Sequence, residues 1–316
     1  MLNILIDKLK HSDLEIISYD RSTRYAWDCK VSLFNFYGFF NSLVLEYESE
    51  YFEASICSFY AIYEDKLCVF KYYLKSDIIY LFPVCFQDGF DFFKGILISK
   101  AISSLIKDSK YKPSFENLPI TGNLENHFKL QIGVLGSLKP CLEMFVDLKP
   151  SVEDLWRGIR KSYKSLINKG ERKFSIESDF SNDIWTKCKR FHFEISGRIT
   201  RNDKTWEIQK QMILEKRARL FFIIQEKKLL GFAFFTESTC FANYGVGVYD
   251  RDKFNSISIS HVIIWHAIKF YKSRNFKKIY LGPYTPENHL YDNKLKNIND
   301  FKLGFTNSLV SNNYIT

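Results

Sequence analysis

From residue 51 onward the apolar positions come first in strand-sized runs and later at helical spacing. Ser55–Tyr63, Leu67–Leu74 and Ile78–Phe86 are rich in β-branched and aromatic residues, and Asp65-Lys66 predicts a hairpin between the first two. Residues 91–107 switch to a helical period, with Ile96, Ile98, Ala101, Ile102, Leu105 and Ile106. A turn-rich stretch, Lys112–Gly136, holds Pro113, Pro119 and Gly122 and leads to a predicted strand at Leu142–Asp147.

A second series of elements starts at Leu148-Lys149-Pro150-Ser151. Ser151, with Asp154 three residues on, reads as a helix start, and Gly170 as its stop, which predicts one helix over about Val152–Asn168. Its apolar stripe is Leu155, Ile159, Tyr163 and Leu166. Helices then follow at Asn182–Ser196 and Trp206–Lys216, and strands at Ala218–Gln225, Leu229–Glu237 and Cys240–Val248. An amphipathic helix at Ile257–Ser273 precedes a strand, Lys277–Leu281, that ends on Gly282-Pro283. The break near 150 predicts two domains, 1–150 and 151–316.

Composition narrows the class. With 46% apolar and 17% aromatic residues, the chain can bury a large core, so disorder is excluded. No stretch reaches the roughly 18 uncharged apolar residues of a spanning helix. Met1–Lys10 carries Asp7 and no small-residue cleavage site, which predicts no signal peptide and a cytoplasmic protein. Seven cysteines without a C-x-x-C pair predict reduced thiols rather than a metal site. Cys188 and His192 are four apart on a predicted helix but have no third ligand nearby. The charge is lopsided: residues 1–150 hold 16 basic and 19 acidic side chains, and residues 151–316 hold 29 and 17. A basic second half predicts an anionic partner.

The order helix, helix, three strands, helix, strand from about residue 180 resembles the acetyltransferase (GNAT-like) fold. Several segments, in order, resemble the FemAB-type aminoacyltransferases within it. They are Leu148-Lys149-Pro150-Ser151 with the basic helix through Lys169-Gly170; Phe191–Arg198, with His192 ahead of Arg198; Gly231-Phe232-Ala233 and then Tyr244-Gly245; Ile279-Tyr280-Leu281-Gly282; and Asp300-Phe301-Lys302-Leu303-Gly304-Phe305. The likeness spans roughly residues 50–315. It implies an α/β protein of tandem GNAT-like mixed-sheet domains, the second carrying most of the site. Where longer family members carry a coiled-coil arm, this chain has only Arg201–Arg217, so no such arm is expected.

The resemblance implies transfer of an aminoacyl or acyl group onto an amine of a cell-wall or surface-polysaccharide precursor. It also implies that Lys302, in the Phe-Lys pair, stabilises negative charge developing on the donor carbonyl. Tyr244, on the strand that lines the acyl channel of this fold, is a substrate-binding candidate. Arg198 and Arg201 follow a helix end and have the planar fork that suits phosphate. Lys161 and Lys164 belong to a basic run, Arg157–Lys173, that suits an anionic or lipid-linked substrate, charged tRNA, or the inner face of a membrane. No aromatic platform interleaves that run, so DNA is not an expected partner.

No tightly bound cofactor is expected, and the donor is either aminoacyl-tRNA or acyl-CoA. Ser256 and Ser258, before the 257–273 helix, stand where a phosphate of an acyl-CoA would meet a helix start, but the Gly-rich turn of ordinary acetyl-CoA enzymes is missing. His289 and Glu287 are candidate bases in the loop after Pro283. No G-x-S-x-G elbow is present, and direct attack by the acceptor amine needs no protein nucleophile. The alternative reading is an acyl-CoA-dependent N-acyltransferase acting on a nucleotide- or lipid-linked amino sugar, and a non-catalytic binding protein on the same fold is the reading from another functional class.

Overall fold

The computed structural model describes residues 7, 9, 13–33, 37–82, 85–87, 89–108, 112–115, 138–250, 259–284 and 293–315. The chain divides into two units, one of residues 1–141 with 312–316, the other of residues 142–311. The division falls ahead of the boundary at 150 because the strand ending at Asp147 is paired with Lys278–Tyr284 of the second unit.

In the first unit, β1 (Glu15–Ser18), α1 (Arg24–Val31) and α2 (Ser42–Phe52) precede the short strands β2 (Ser55–Ile56), β3 (Phe59–Tyr63), β4 (Lys66–Phe70), β5 (Tyr72–Lys75), β6 (Ile78–Leu81) and β7 (Cys85–Phe86). They are followed by α3 (Phe92–Asp108) and β8 (Lys112–Phe115). The rest of the turn-rich stretch before Gly136 lies outside the described residues. Each expected long strand is broken, because its two parts serve different sheets: β1-β3-β4-β7 and β2-β5-β6-β8. The break between β4 and β5 is Lys71. Its buried amine donates to the Phe39 carbonyl (2.8 Å) and a Glu48 carboxylate oxygen (2.7 Å), so this charge is enclosed only with its partners. The β3–β4 turn is Glu64-Asp65 rather than Asp65-Lys66; both residues have positive φ (46° and 64°), as a tight hairpin requires.

In the second unit, β9 (Leu138–Asp147) leads into α4 (Val152–Gly158) and α5 (Lys161–Lys173). The single helix expected here is two. Ile159 and Arg160 leave helical space (ψ 139° and 129°), and the Arg160 N–H donates to the Gly304 carbonyl instead (3.0 Å). Gly170 is no stop: it lies inside α5 where a Cβ would fall 1.9 Å from Val262, so its missing side chain lets α5 press against α8 (Ile259–Ser273). Between them come α6 (Asn182–Ser196), capped by Ser181 and ended by Gly197 at φ 67°, α7 (Asp203–Leu214) and a meander of β10 (Ala218–Gln225), β11 (Lys228–Glu237) and β12 (Phe241–Tyr249). After α8 follow β13 (Lys278–Tyr284), α9 (Asn293–Leu303) and β14 (Ser308–Ile315).

The six strands are ordered β10-β11-β12-β13-β9-β14, with β12 and β13 parallel. Both faces of the meander are covered, which is why its strands read as unbroken apolar runs. Phe221, Ile223, Ala233 and Phe235 join the core beneath α5 and α8, while Phe234 meets Trp185 of α6 on the other face. The architecture is the tandem GNAT-like α/β fold, and no coiled-coil arm occurs among the described residues. No described helix is long and apolar enough to cross a membrane.

Candidate functional site

The parallel strands β12 and β13 pair only over Phe241–Asn243 and Lys278–Tyr280, although β12 continues to Tyr249 and β13 to Tyr284. Each strand has a register shift just past that point. Gly245 is the extra residue against β11, and Leu281 the extra residue against β9. A bulge bends its strand; with one on each strand, β12 and β13 part and a wedge opens between them.

A cavity of about 750 Å³ occupies this end of the second unit. Its described walls are Tyr244, Gly245, Gly247, Tyr249 and Asp250 of β12 and its end, Ile259 and Ser260 of α8, and one face of α9. That face is Lys294, Asn297, Ile298, Phe301 and Lys302, a helical spacing of three or four.

The last turn of α9 is anchored by aromatic packing. Phe301 and Phe305 lie against the His261 ring (centroids 5.0 and 5.8 Å apart), and Tyr163 lies edge-on to His261 at 4.1 Å. Gly304 allows this, since a Cβ there would fall 2.0 Å from the Tyr163 ring. Arg160 donates from Nη1 to the Tyr163 hydroxyl (3.1 Å). Burial, helped by the Arg160 charge, lowers the His261 pKa to about 4. The aromatics of the Phe-Lys-x-x-Phe run thus hold the helix, and the lysine between them enters the cavity.

Lys302 Nζ lies 6.0 Å from the centre of the Tyr244 ring. Among the described residues no hydrogen bond or ion pair engages it, and burial lowers its pKa to about 8. Gly282 makes the space: it has φ 113°, and a Cβ there would lie 2.8 Å from Nζ. The hydroxyls of Tyr244 and Tyr249 are 3.0 Å apart and hydrogen-bonded to each other. Burial raises both, Tyr244 to about 12. Gly247 leaves room for the pair, because a Cβ there would fall 1.8 Å from the Tyr244 hydroxyl and 2.7 Å from that of Tyr249.

Of the sequence candidates, the structure brings Lys302 and Tyr244 together. Arg198 is exposed after α6, and Arg201 stacks on Trp206 (3.8 Å to the ring centre); neither is among the described cavity walls. Lys161 is exposed on α5, and Lys164 donates to the Arg157 carbonyl (3.0 Å), both again away from those walls. Ser256, Ser258, Glu287 and His289 lie outside the described residues. Cys188 is buried and His192 lies edge-on to Trp206, so both serve packing. No group of three or more His, Cys, Asp or Glu that could hold a metal occurs among the described residues. Tyr249 and Gly247 were missed by sequence reasoning, and Gly282 was read only as the end of a strand; the repeated glycines of Tyr244-Gly-Val-Gly-Val-Tyr249 were the available signal.

No protein-family model and no curated protein matches the sequence. Solved structures do match its fold. A FemX crystal structure aligns over 96% of this chain and 97% of its own, at 11% identity and a TM-score of 0.65. L-PGS from Bacillus licheniformis aligns over 94% and 91%, at 10% identity and a TM-score of 0.62. A tandem GNAT protein from the clavulanic acid biosynthesis pathway aligns over 96% and 97%, at 10% identity and a TM-score of 0.52. At these identities the likeness is one of fold, along essentially the whole chain.

Proposed function

We propose that this chain is an acyltransferase that moves an aminoacyl or acyl group onto an amine of a cell-wall or surface-polysaccharide precursor, with Lys302 stabilising the oxyanion. The observation that carries this reading is the state of Lys302. Its ammonium enters a cavity walled by β12, α8 and α9, and no described carboxylate pairs with it. An enclosed cation without a counter-ion binds negative charge that appears during a reaction better than charge already solvated. With a pKa of about 8 it is mostly protonated at neutral pH, as the role requires.

In the proposed reaction the acceptor amine attacks the donor carbonyl. The carbonyl π pair moves onto oxygen beside Lys302, and collapse expels the thiolate or ribose hydroxyl of the donor. The attacking nitrogen loses its proton to water or to the leaving group. The fold shared with FemX and L-PGS supports an aminoacyl donor. The basic second half of the chain supports an anionic acceptor, with Arg198, Arg201, Lys161 and Lys164 as outer contacts, and supports peripheral work at the inner face of a membrane.

The test is a comparison of acetyl-CoA, longer acyl-CoAs and charged tRNAs by thermal shift at matched ionic strength, followed by turnover of wild type and Lys302→Ala. Stabilisation by charged tRNA, dependent on its amino acid, is expected. Saturable stabilisation by acyl-CoA alone moves the donor to a thioester. Binding of none overturns the catalytic reading in favour of a binding protein, and turnover unchanged in Lys302→Ala removes the role given to Lys302.

A further inference from the structure

The tyrosine pair in the cavity has an unbalanced set of hydrogen-bonding groups. Two phenol hydroxyls carry two protons, and the contact between Tyr244 and Tyr249 uses one as donor. Among the described residues neither hydroxyl makes any other hydrogen bond. One O–H is therefore left over in a walled space. The pair is partly buried, and a donor held in a cavity wall without a protein acceptor is placed for an acceptor that arrives with a ligand.

The spare proton and the Lys302 ammonium belong to one cavity. Both groups line the same cavity, the ammonium sits over the Tyr244 ring, and two glycines keep the space open: Gly247 for the hydroxyls and Gly282 for the amine. Gly231 adds a third clearance, since a Cβ there would fall 2.9 Å from the Tyr249 ring. Two donors that share a cavity and lack acceptors among the described residues suit an oxygen bearing full or developing negative charge.

We propose that Tyr244 is the second donor to the ligand oxygen held by Lys302, and that Tyr249 is a positioning residue that donates to Tyr244 and frees the Tyr244 proton for the ligand. Tyr244 is the neighbour of the ammonium, so a Tyr249-to-Tyr244 bond leaves the free proton on the hydroxyl nearer Lys302's ring contact. In the acyl-transfer reading, on which the catalytic part rests, that oxygen is the former carbonyl oxygen. The new C–N bond forms as the carbonyl π pair becomes a lone pair on oxygen; Tyr244 and Lys302 hold this charge without giving up their protons. The lone pair then re-forms C=O as the bond to the leaving group breaks.

The experiment has a binding arm and a turnover arm. Acetate, a small oxyanion, is titrated into full-length protein labelled with 13C at tyrosine Cζ and lysine Cε, with Tyr244→Phe, Tyr249→Phe, the double variant and Lys302→Met for assignment and comparison. Thermal melts establish that each variant is folded. The wild type is expected to show saturable shifts of both the Tyr244 and Lys302 signals. Tyr244→Phe should weaken acetate about tenfold, the loss of one charge-assisted hydrogen bond. Tyr249→Phe should weaken it less, and the double variant no more than Tyr244→Phe. Absence of acetate binding by the wild type, still tyrosine signals, or equal affinity in Tyr244→Phe overturns the proposal.

In the turnover arm, with the acyl-CoA or charged tRNA found to react, Tyr244→Phe should lower kcat about tenfold or more while KM changes little. Unchanged kcat in a turning-over enzyme overturns the catalytic part of the proposal. Acetate binding as expected, with no turnover by the wild type on any donor, leaves the donor pair standing and sinks the acyl-transfer reading instead.

Discussion

Gly282 and Lys302, twenty residues apart in sequence, occupy one another's space: a Cβ on Gly282 would lie 2.8 Å from the lysine amine. The strand leaves out a methyl so that an ammonium fits. Gly282→Ala therefore combines two effects. Its φ of 113° is one that L side chains avoid, which should cost on the order of 1–3 kcal/mol in urea unfolding. The amine, the free end of a flexible chain, should move aside, so turnover should fall further than the stability loss explains. Activity that merely follows the folded fraction would mean that the exact place of Nζ is unimportant.

Lys302 also predicts a pH dependence of stability. Its folded pKa, about 8, lies below the unfolded value near 10.5, so folding opposes the charge at neutral pH. That penalty is complete below pH 8 and vanishes as pH rises towards 10.5, where the unfolded lysine also loses its proton. Lys302→Met should melt higher than wild type at pH 7, and the difference should shrink between pH 8 and 10.5. A constant difference across that range would show that the lysine is solvated.

His261 works in the acid range. It is buried with its pKa near 4, against Arg160 and the rings of Tyr163, Phe301 and Phe305, so the native state keeps it neutral. From pH 6.5 down to 4 the unfolded state binds a proton that the native state refuses, which removes up to about 3 kcal/mol of stability. His192 and His266 are shifted the same way, so the reading must come from a difference. The unfolding free energy of His261→Asn should fall less steeply than that of wild type over this window; parallel curves would refute the assignment.

Two glycines of β12 should respond differently to alanine. A Cβ on Gly245 meets the Phe234 carbonyl oxygen at 3.6 Å, an ordinary contact, whereas one on Gly247 collides with both tyrosine hydroxyls. Gly247→Ala should cost about 1–3 kcal/mol by overpacking, and acetate affinity with it. Gly245→Ala should keep that affinity. Isothermal titration of the two variants side by side separates them, and equal behaviour would mean the hydroxyl pair is not confined by the strand.

The two arginines after α6 differ as well. Arg201 lies on the Trp206 ring, so Arg201→Ala should lower stability by about 0.5–2 kcal/mol. Arg198 is exposed, and Arg198→Ala should leave stability within about 0.5 kcal/mol. If Arg198 contacts a phosphate of the acceptor, its loss should raise KM for the phosphorylated acceptor more than for the dephosphorylated one; equal changes would remove that role.

The elements of the second unit were mostly legible in the sequence, because α6, α7, α8 and the meander strands carry local signals. Ser181 caps α6, Gly197 ends it, and the apolar periods are long, although the Asn202 cap that starts α7 at Asp203 rather than Trp206 went unread. The reading failed where a distant partner overrides a local preference. Gly170 resembles a helix stop but is kept within α5 by Val262 of α8, and Arg160 leaves the helix for the carbonyl of Gly304. In the first unit, Lys71 looks like one charge within a strand, and only its enclosure by Phe39 and Glu48 shows that the chain changes sheet there.

By itself the sequence determined the class of the fold, the order of the second unit and Lys302 as the residue to examine, because these depend on periodicity, capping and a short motif. The site itself was decided by tertiary structure. Tyr244 and Tyr249 are five apart, and in a regular strand an odd separation puts side chains on opposite faces. The extra residue at Gly245 changes that parity and brings the two hydroxyls together. Whether a strand bulges, and which helix then closes over it, is set by the neighbouring strands and the packing of α9, and no local pattern of residues records either.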